Sequence, residues 1–333
     1  MTLQPLTARR YAARVGVHLA VWLAVAGAAV VVGGKVWAWE SPAQRWDALR
    51  DALYGVATAS VVGGALALAG LALQALLRNP LASPYILGVS GGASLGVIVS
   101  GLFVSVLLQP LFGFAGALAT VGIVYAVAQR RGRLDPYTLL LTGVIINAFY
   151  AAAIMLVMGL VRPEMRGDIA YWMMGNIRRF DLQWELVGVV GVLAVAMAVV
   201  FAFLAKGFNL VAVGEETAGA LGVRVERLRI VTFVAASLVT GAAVALTGPI
   251  GFVGLIVPHL LRMVLGPDHR RLVPATLLLG ASFLVLADLA TSLLEGAVAP
   301  YPPPPVGVLT AMCGGPFFVY LLRTRWRRAA EVQ

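Results

Sequence analysis

Between Val15 and Val32 the chain carries no Asp, Glu, Lys or Arg, and nine further stretches nearly as apolar follow before residue 323. A helix needs roughly 20 apolar residues to cross the hydrocarbon core of a bilayer. Lipid offers no partner for backbone polar groups, so a continuous apolar run in a membrane satisfies them within itself, as a helix. The runs lie near 15–37, 53–76, 85–107, 111–129, 137–160, 184–205, 229–247, 252–265, 273–294 and 306–322. The reading is an all-α polytopic membrane protein with ten transmembrane helices, and residues 1–333 are left no length for a separate soluble domain. Composition agrees: 12% of residues are charged, against about a quarter in soluble domains.

Arg9, Arg10 and Arg14 precede the first run, as in a signal peptide, but that run exceeds the usual apolar region of such a leader and reads as a retained first helix. An even number of spans puts both termini on one side. If that side is cytoplasmic, the inner segments hold 18 of the 25 Lys and Arg, and the outer ones hold Lys35, Arg45, Arg50, Arg162, Arg166, Arg178 and Arg179. Positive charge collects on the cytoplasmic side of membrane proteins, so both termini are expected there. The net charge of +10 is then a signal of topology and of contact with membrane lipid rather than of nucleic acid. One cysteine, Cys313, excludes a disulfide framework, and no second His or Cys at ligand spacing makes His259 a metal ligand.

The stretch "LRNPLASPYILGVSGGASLG" breaks the apolar pattern with charge, two prolines and four glycines. Arg78 suits the end of the second helix. Pro80 turns Asn79 away from helix, and Pro84 fits the start of the third helix with Ser83 as cap. Gly88, Gly91, Gly92 and Gly96 would then share one side of that helix and admit a close neighbour. Further on, "KGFNLVAVGEETAGALGVRVERLR" forms a cytoplasmic loop over 206–229. A short helix after Gly214 would have Glu215 and Glu216 in its first turn, and "VRVERLR" could begin a second short helix.

Taken whole, "QALLRNPLASPYILGVSGGASLG" resembles the signature of the FecCD-type permeases, membrane subunits of ABC importers for iron-siderophores, haem and vitamin B12. "LVAVGEETAGALGVRVERLR", "GPIGFVGLIVPHLLRMVLGPDHRRLVPA" and "PPVGVLTAMCGGPFFVYLL" are similar, in order, to later blocks of the same family. The resemblance implies type II ABC importer permease architecture in a bacterial cytoplasmic (inner) membrane. It also implies a second permease subunit, expected to be a copy of the same chain, two cytoplasmic ATPase subunits, and a periplasmic or lipid-anchored substrate-binding protein. ATP and Mg would sit on the ATPase: this sequence has no GxxxxGK[ST], is expected to bind no cofactor or metal, and is not an enzyme.

By the same resemblance Gly214, Glu215, Glu216, Thr217, Ala218, Leu221 and Gly222 form the ATPase-coupling segment. The fifth and tenth helices line the path, with Thr142, Asn147, Thr310 and Met312 as candidates. Asn79, Pro80, Pro84, Gly88, Gly91 and Gly92 shape the signature turn and its packing. Relatives carry arginines in a phrase like RLPR before the second helix, where this chain reads Ala52, Leu53, Tyr54 and Gly55; Arg45, Arg50, Arg178 and Arg179 stand as the docking candidates instead. Another arginine is replaced by Ser292, and Pro303, Pro304 and Pro305 stand where Glu-Leu-Pro is usual. Asp288 is an acid well within a run, expected to make a structural hydrogen bond. An ion-gradient-driven secondary transporter is the alternative; it would need paired intramembrane ionisable groups, which Asp288 alone does not supply.

Overall fold

The computed structural model describes residues 8–33, 41–105, 108–130, 133–177, 183–298 and 303–330. The helices are α1 (Ala8–Ala28, continued by a π turn at Ala29–Gly33), α2 (Pro42–Leu76), α3 (Val89–Phe103), α4 (Gln109–Ala128), α5 (Pro136–Leu160) and α6 (Pro163–Met173). After them come α7 (Trp184–Val213), α8 (Glu215–Ala220), α9 (Val225–Thr247), α10 (Val253–Leu265), α11 (His269–Val298) and α12 (Val306–Ala330). Between α4 and α5, β1 (Gln129–Arg130) pairs antiparallel with β2 (Arg133–Leu134). Among the described residues seven helices, α1, α2, α4, α5, α7, α9 and α11, are long and apolar enough to cross a membrane, and α3, α10 and α12 are apolar but shorter. The protein is a multi-pass membrane protein.

At the centre stands α2, packed against α7, α9, α10 and α11. Its apolar stretch is 78% buried and that of α9 72%, against 6% for α1, which lies at the edge. Lipid is as apolar as a leucine side chain, so helices associate here by close approach rather than by escape from water. Three crossings are made by glycine on both sides. A Cβ on Gly280 of α11 would stand 2.5 Å from the carbonyl oxygen of Gly63 in α2. One on Gly254 of α10 would stand 3.2 Å from the Gly70 Cα, and one on Gly92 of α3 would stand 2.7 Å from the Gly116 carbonyl oxygen in α4. Where α2 meets α10, the buried Gln74 amide donates to the Gly254 carbonyl at 2.9 Å and accepts from Arg262.

Several boundaries differ from the sequence expectation. Helix α3 begins at Val89, not near residue 85, because Gly88 takes a left-handed φ of 76° and the chain before it runs in turns. Pro84 therefore precedes the helix and Ser83 does not cap it. Helix α2 starts at Pro42, where Ser41 and Gln44 form a capping box, so Arg45 and Arg50 are helical. The segment 206–213 continues α7, with Phe208 and Val211 buried, and "VERLR" opens α9 rather than a separate short helix. Only 214–224 lies between these long helices.

Candidate coupling site

The turn after α2 ends in a reversal that glycine usually makes. The Leu77 amide donates to Leu73 and the Asn79 amide to Gln74, the bond pattern that closes a helix over a left-handed residue. Here that residue is Arg78, at φ 47°, and a left-handed conformation costs an L-residue about 1–2 kcal/mol. The Asn79 side chain then accepts from the Leu81 amide at 2.9 Å, a local turn that Pro80 pre-sets. At the far end of the turn Gly88 lies against α5, where a Cβ would stand 3.2 Å from the Gly143 carbonyl oxygen.

Arg78 points to α8. Its Nη2 donates to Glu215 Oε1 at 2.6 Å, and Arg229 Nη2 donates to the same oxygen. The Arg229 guanidinium, with its side chain only 10% exposed, also pairs with Glu226 at 3.6 Å, and Glu226 accepts the backbone N–H of Leu134 in β2 at 2.8 Å. One chain of charge thus joins three turns: α2–α3, α7–α8–α9 and the β1–β2 hairpin. Glu215 faces inward, whereas Glu216, Thr217 and Ala220 are exposed and Leu221 is 63% exposed. Ala218 is fully buried and seats α8 on the bundle. Gly222, at φ 85°, reverses the chain into α9. The two acids that looked alike in sequence therefore do different work.

At the same end, Asp268 ties α7 to α11. The Asn209 side-chain amide donates to Asp268 at 2.7 Å and its oxygen accepts from the His269 amide at 2.9 Å, while Arg270 grips the Asp268 carboxylate with Nε and Nη2. Burial alone would raise the Asp268 pKa; the hydrogen bonds from Arg270 and Asn209 outweigh it and the net shift is downward. A carboxyl whose folded pKa is depressed stabilises above the ordinary carboxylate pKa and loses that contribution as pH falls through the folded value. On acidification below about pH 4, wild-type protein in detergent should lose about 2 °C more of its melting temperature than Asp268→Asn does. Equal losses would show that Asp268 adds no pH-linked stability.

The path candidates separate. Thr142 on α5 and Thr310 on α12 are buried within the chain, and the Thr310 hydroxyl donates to the Gly307 carbonyl at 3.0 Å. Asn147 and Met312 are exposed. Asn147 also lies beside the signature glycines: a Cβ on Gly91 would stand 2.9 Å from its Oδ1. The exposed face of α5 around Asn147 carries Val144, Ile145 and Phe149. At the opposite end of the bundle from α8, Arg45 and Arg50 lie on the exposed first turns of α2, whereas Arg178 and Arg179 lie outside the described residues. Near that end the backbone makes a seam. The Asn176 amide donates to Thr247, the Gly307 amide to Gly175, and the Tyr171 hydroxyl to Pro303. Asp288 is buried against α2, its Oδ2 3.4 Å from where a Cβ on Gly55 would stand. The buried His259 ring packs edge-on against Phe317 at 6.1 Å. Among the described residues no group of three or more His, Cys, Asp and Glu side chains could hold a metal ion.

Sequence reasoning placed Arg78 only as a cation at a helix end and gave Arg229 and Glu226 no role. The available signal was an arginine in a helix-ending position that favours glycine.

The sequence model of the FecCD transport family matches residues 19–324. The cobalamin import system permease protein BtuC of Halobacterium salinarum is 42% identical over 274 residues, which cover 81% of this chain and 71% of that one. The hemin transport system permease protein HmuU of Yersinia pestis is 38% identical over 282 residues, 82% of each chain. A solved inward-facing conformation of a metal-chelate type ABC transporter superposes with a TM-score of 0.81 at 28% identity, covering 94% of this chain and 99% of the other. With the family model matching nearly the whole chain and a relative 42% identical over 81% of it, this protein is a member of the FecCD transport family.

Proposed function

We propose that this chain is the permease subunit of an ATP-driven importer that carries a metal chelate or a corrinoid into the cytoplasm. In this reading ten helices span the membrane with both termini cytoplasmic, and two copies of the chain enclose a path between their α5 and α12 faces. The exposed Asn147 and Met312 are the lining candidates. A binding protein delivers substrate to the outer end, where Arg45 and Arg50 offer cations to acidic partners. ATP and Mg belong to two ATPase subunits docked at α8. The relatives named for cobalamin and hemin import support the substrate class.

The observation that carries the proposal is α8 itself. It is a six-residue helix anchored by the buried Ala218 and the paired Glu215, and it turns Glu216, Thr217, Ala220 and Leu221 outward. A small, rigid, half-apolar knob at one end of a bundle suits a groove on a partner, since interface cores favour apolar contacts ringed by polar groups. Leu221→Asp should lower capture of the co-expressed ATPase at least about tenfold, as loss of an apolar anchor at an interface centre does. The purified permease should melt as wild type. Full capture by Leu221→Asp would remove α8 as the docking element.

A further inference from the structure

We infer that Arg78, Glu215 and Arg229 form a mechanical linkage that makes the α2–α3 turn follow α8, so that a push on α8 reaches the contact of Gly88 with α5. The inference rests on α8 as the docking element, and it assigns a positioning role to Arg78.

The residue at the end of α2 is unusual for its place. The left-handed position that closes this helix is one where glycine carries no steric cost. An arginine stands there at φ 47°. A non-glycine residue held in that region points to a use that compensates for it. Arg78 has one: its guanidinium reaches across 137 residues of sequence to Glu215. Glu215 joins two elements, since its Oε1 accepts from both Arg78 and Arg229. Arg229 is buried on α9 and fixed by Glu226, so α8 is held from one side by the bundle and from the other by the turn. Ionised donors and acceptors make the stronger hydrogen bonds, which suits a joint that must bear load. The turn is also stiff. Pro80, Pro84 and the Asn79 turn leave the segment from Arg78 to Gly88 few soft dihedrals. Its two ends are fixed, one at Glu215 and the other against Gly143 and Asn147 of α5. A displaced Arg78 therefore carries Gly88 with it.

The test uses the complex with its ATPase in nanodiscs, on a Cys313→Ser background. Two spin-label pairs share a reference at Leu293→Cys on α11. One pairs it with Arg224→Cys, just after α8, and the other with Leu81→Cys in the turn; all three positions are exposed. In otherwise wild-type protein both distances should shift when ATP and vanadate are added. In Arg78→Gly the Arg224 pair should shift as before, while the Leu81 shift falls at least about threefold, the order by which a substitution between two coupled sites changes their coupling. Thermal stability should hold or rise, because glycine removes the backbone strain. Arg78→Lys should restore part of the Leu81 shift.

A residue that only terminates α2 predicts the reverse: glycine would serve equally well and the Leu81 shift would stay intact, which overturns the linkage. If Arg78→Gly fails to assemble, Arg78→Gln carries the same comparison. If the ATPase binds the wild-type permease and the Arg224 pair never moves, α8 is not the element being driven and the docking reading falls, the linkage with it. A moving α8 with an unaffected Leu81 shift in Arg78→Gly sinks the linkage alone.

Discussion

Gly70→Leu should yield no monodisperse protein on detergent extraction, while Gly122→Ala should behave as wild type. Both glycines lie inside helices and cost each helix the same intrinsic propensity. Their surroundings differ. A Cβ at Gly70 would fall inside the contact radius of the Gly254 carbonyl oxygen, and backbone cannot swing aside as a flexible side chain can. A Cβ at Gly122 would meet nothing within 4 Å. Relief at Gly70 would require α2 and α10 to separate, and with them the bonds that Gln74 makes to Gly254 and Arg262. Overpacking a soluble core costs about 1–3 kcal/mol. Here no hydrophobic driving force pulls the helices back together and α2 is the axis of the bundle, so the loss should exceed about 4 kcal/mol, an exceptional value for one substitution. Size-exclusion profiles of the two variants decide the matter. A monodisperse peak for Gly70→Leu would mean that the α2–α10 crossing is not needed for the fold.

The second large effect separates two adjacent acids. Glu215→Arg should abolish assembly with the ATPase and lower the melting temperature of the permease itself, whereas Glu216→Arg should leave the permease folded and weaken capture only. An arginine at 215 would set a third guanidinium against Arg78 and Arg229, the latter with a side chain only 10% exposed. Breaking a partly buried pair leaves uncompensated charge, at a cost of up to about 3–5 kcal/mol when burial is complete; the 30% exposure of Glu215 brings the expected value to about 2 kcal/mol or less. For a chain of this size that is a shift of several degrees at most. Glu216 is exposed, with nothing of that kind to break. Parallel thermal melts and pull-downs read both quantities. Identical melts for the two variants would show that the ion pairs of Glu215 do not hold α8 in place.

These contrasts show where the sequence was legible. Every one of the ten apolar stretches corresponds to a helix, because apolar length and the absence of charge are properties of a segment by itself. The close approach of α3 to its neighbour was readable for the same reason: Gly92 and Gly96 stand four apart on one helix. The crossings of α2 with α10 and α11 were not readable, since Gly70 and Gly254 are separated by most of the chain and nothing local pairs them. The ends of elements were also misplaced. "VRVERLR" looked like a separate short helix because charge interrupts the apolar pattern, yet Leu228 and Arg229 are buried against neighbours and the helix runs through. Thr142 and Thr310, polar residues in the expected path helices, turned out to face inward, since helical phase depends on which neighbour a helix packs against.

What the sequence determined by itself is the membrane-embedded helical class, the position of each apolar helix and the family, because these follow from runs and motifs a few to some twenty residues long. Which glycines meet, which of two neighbouring glutamates faces inward, and why an arginine occupies a turn suited to glycine were decided only by the tertiary structure. Those answers depend on groups such as Arg78, Glu215 and Arg229, far apart along the chain, whose worth is set by the distance and burial that folding gives them.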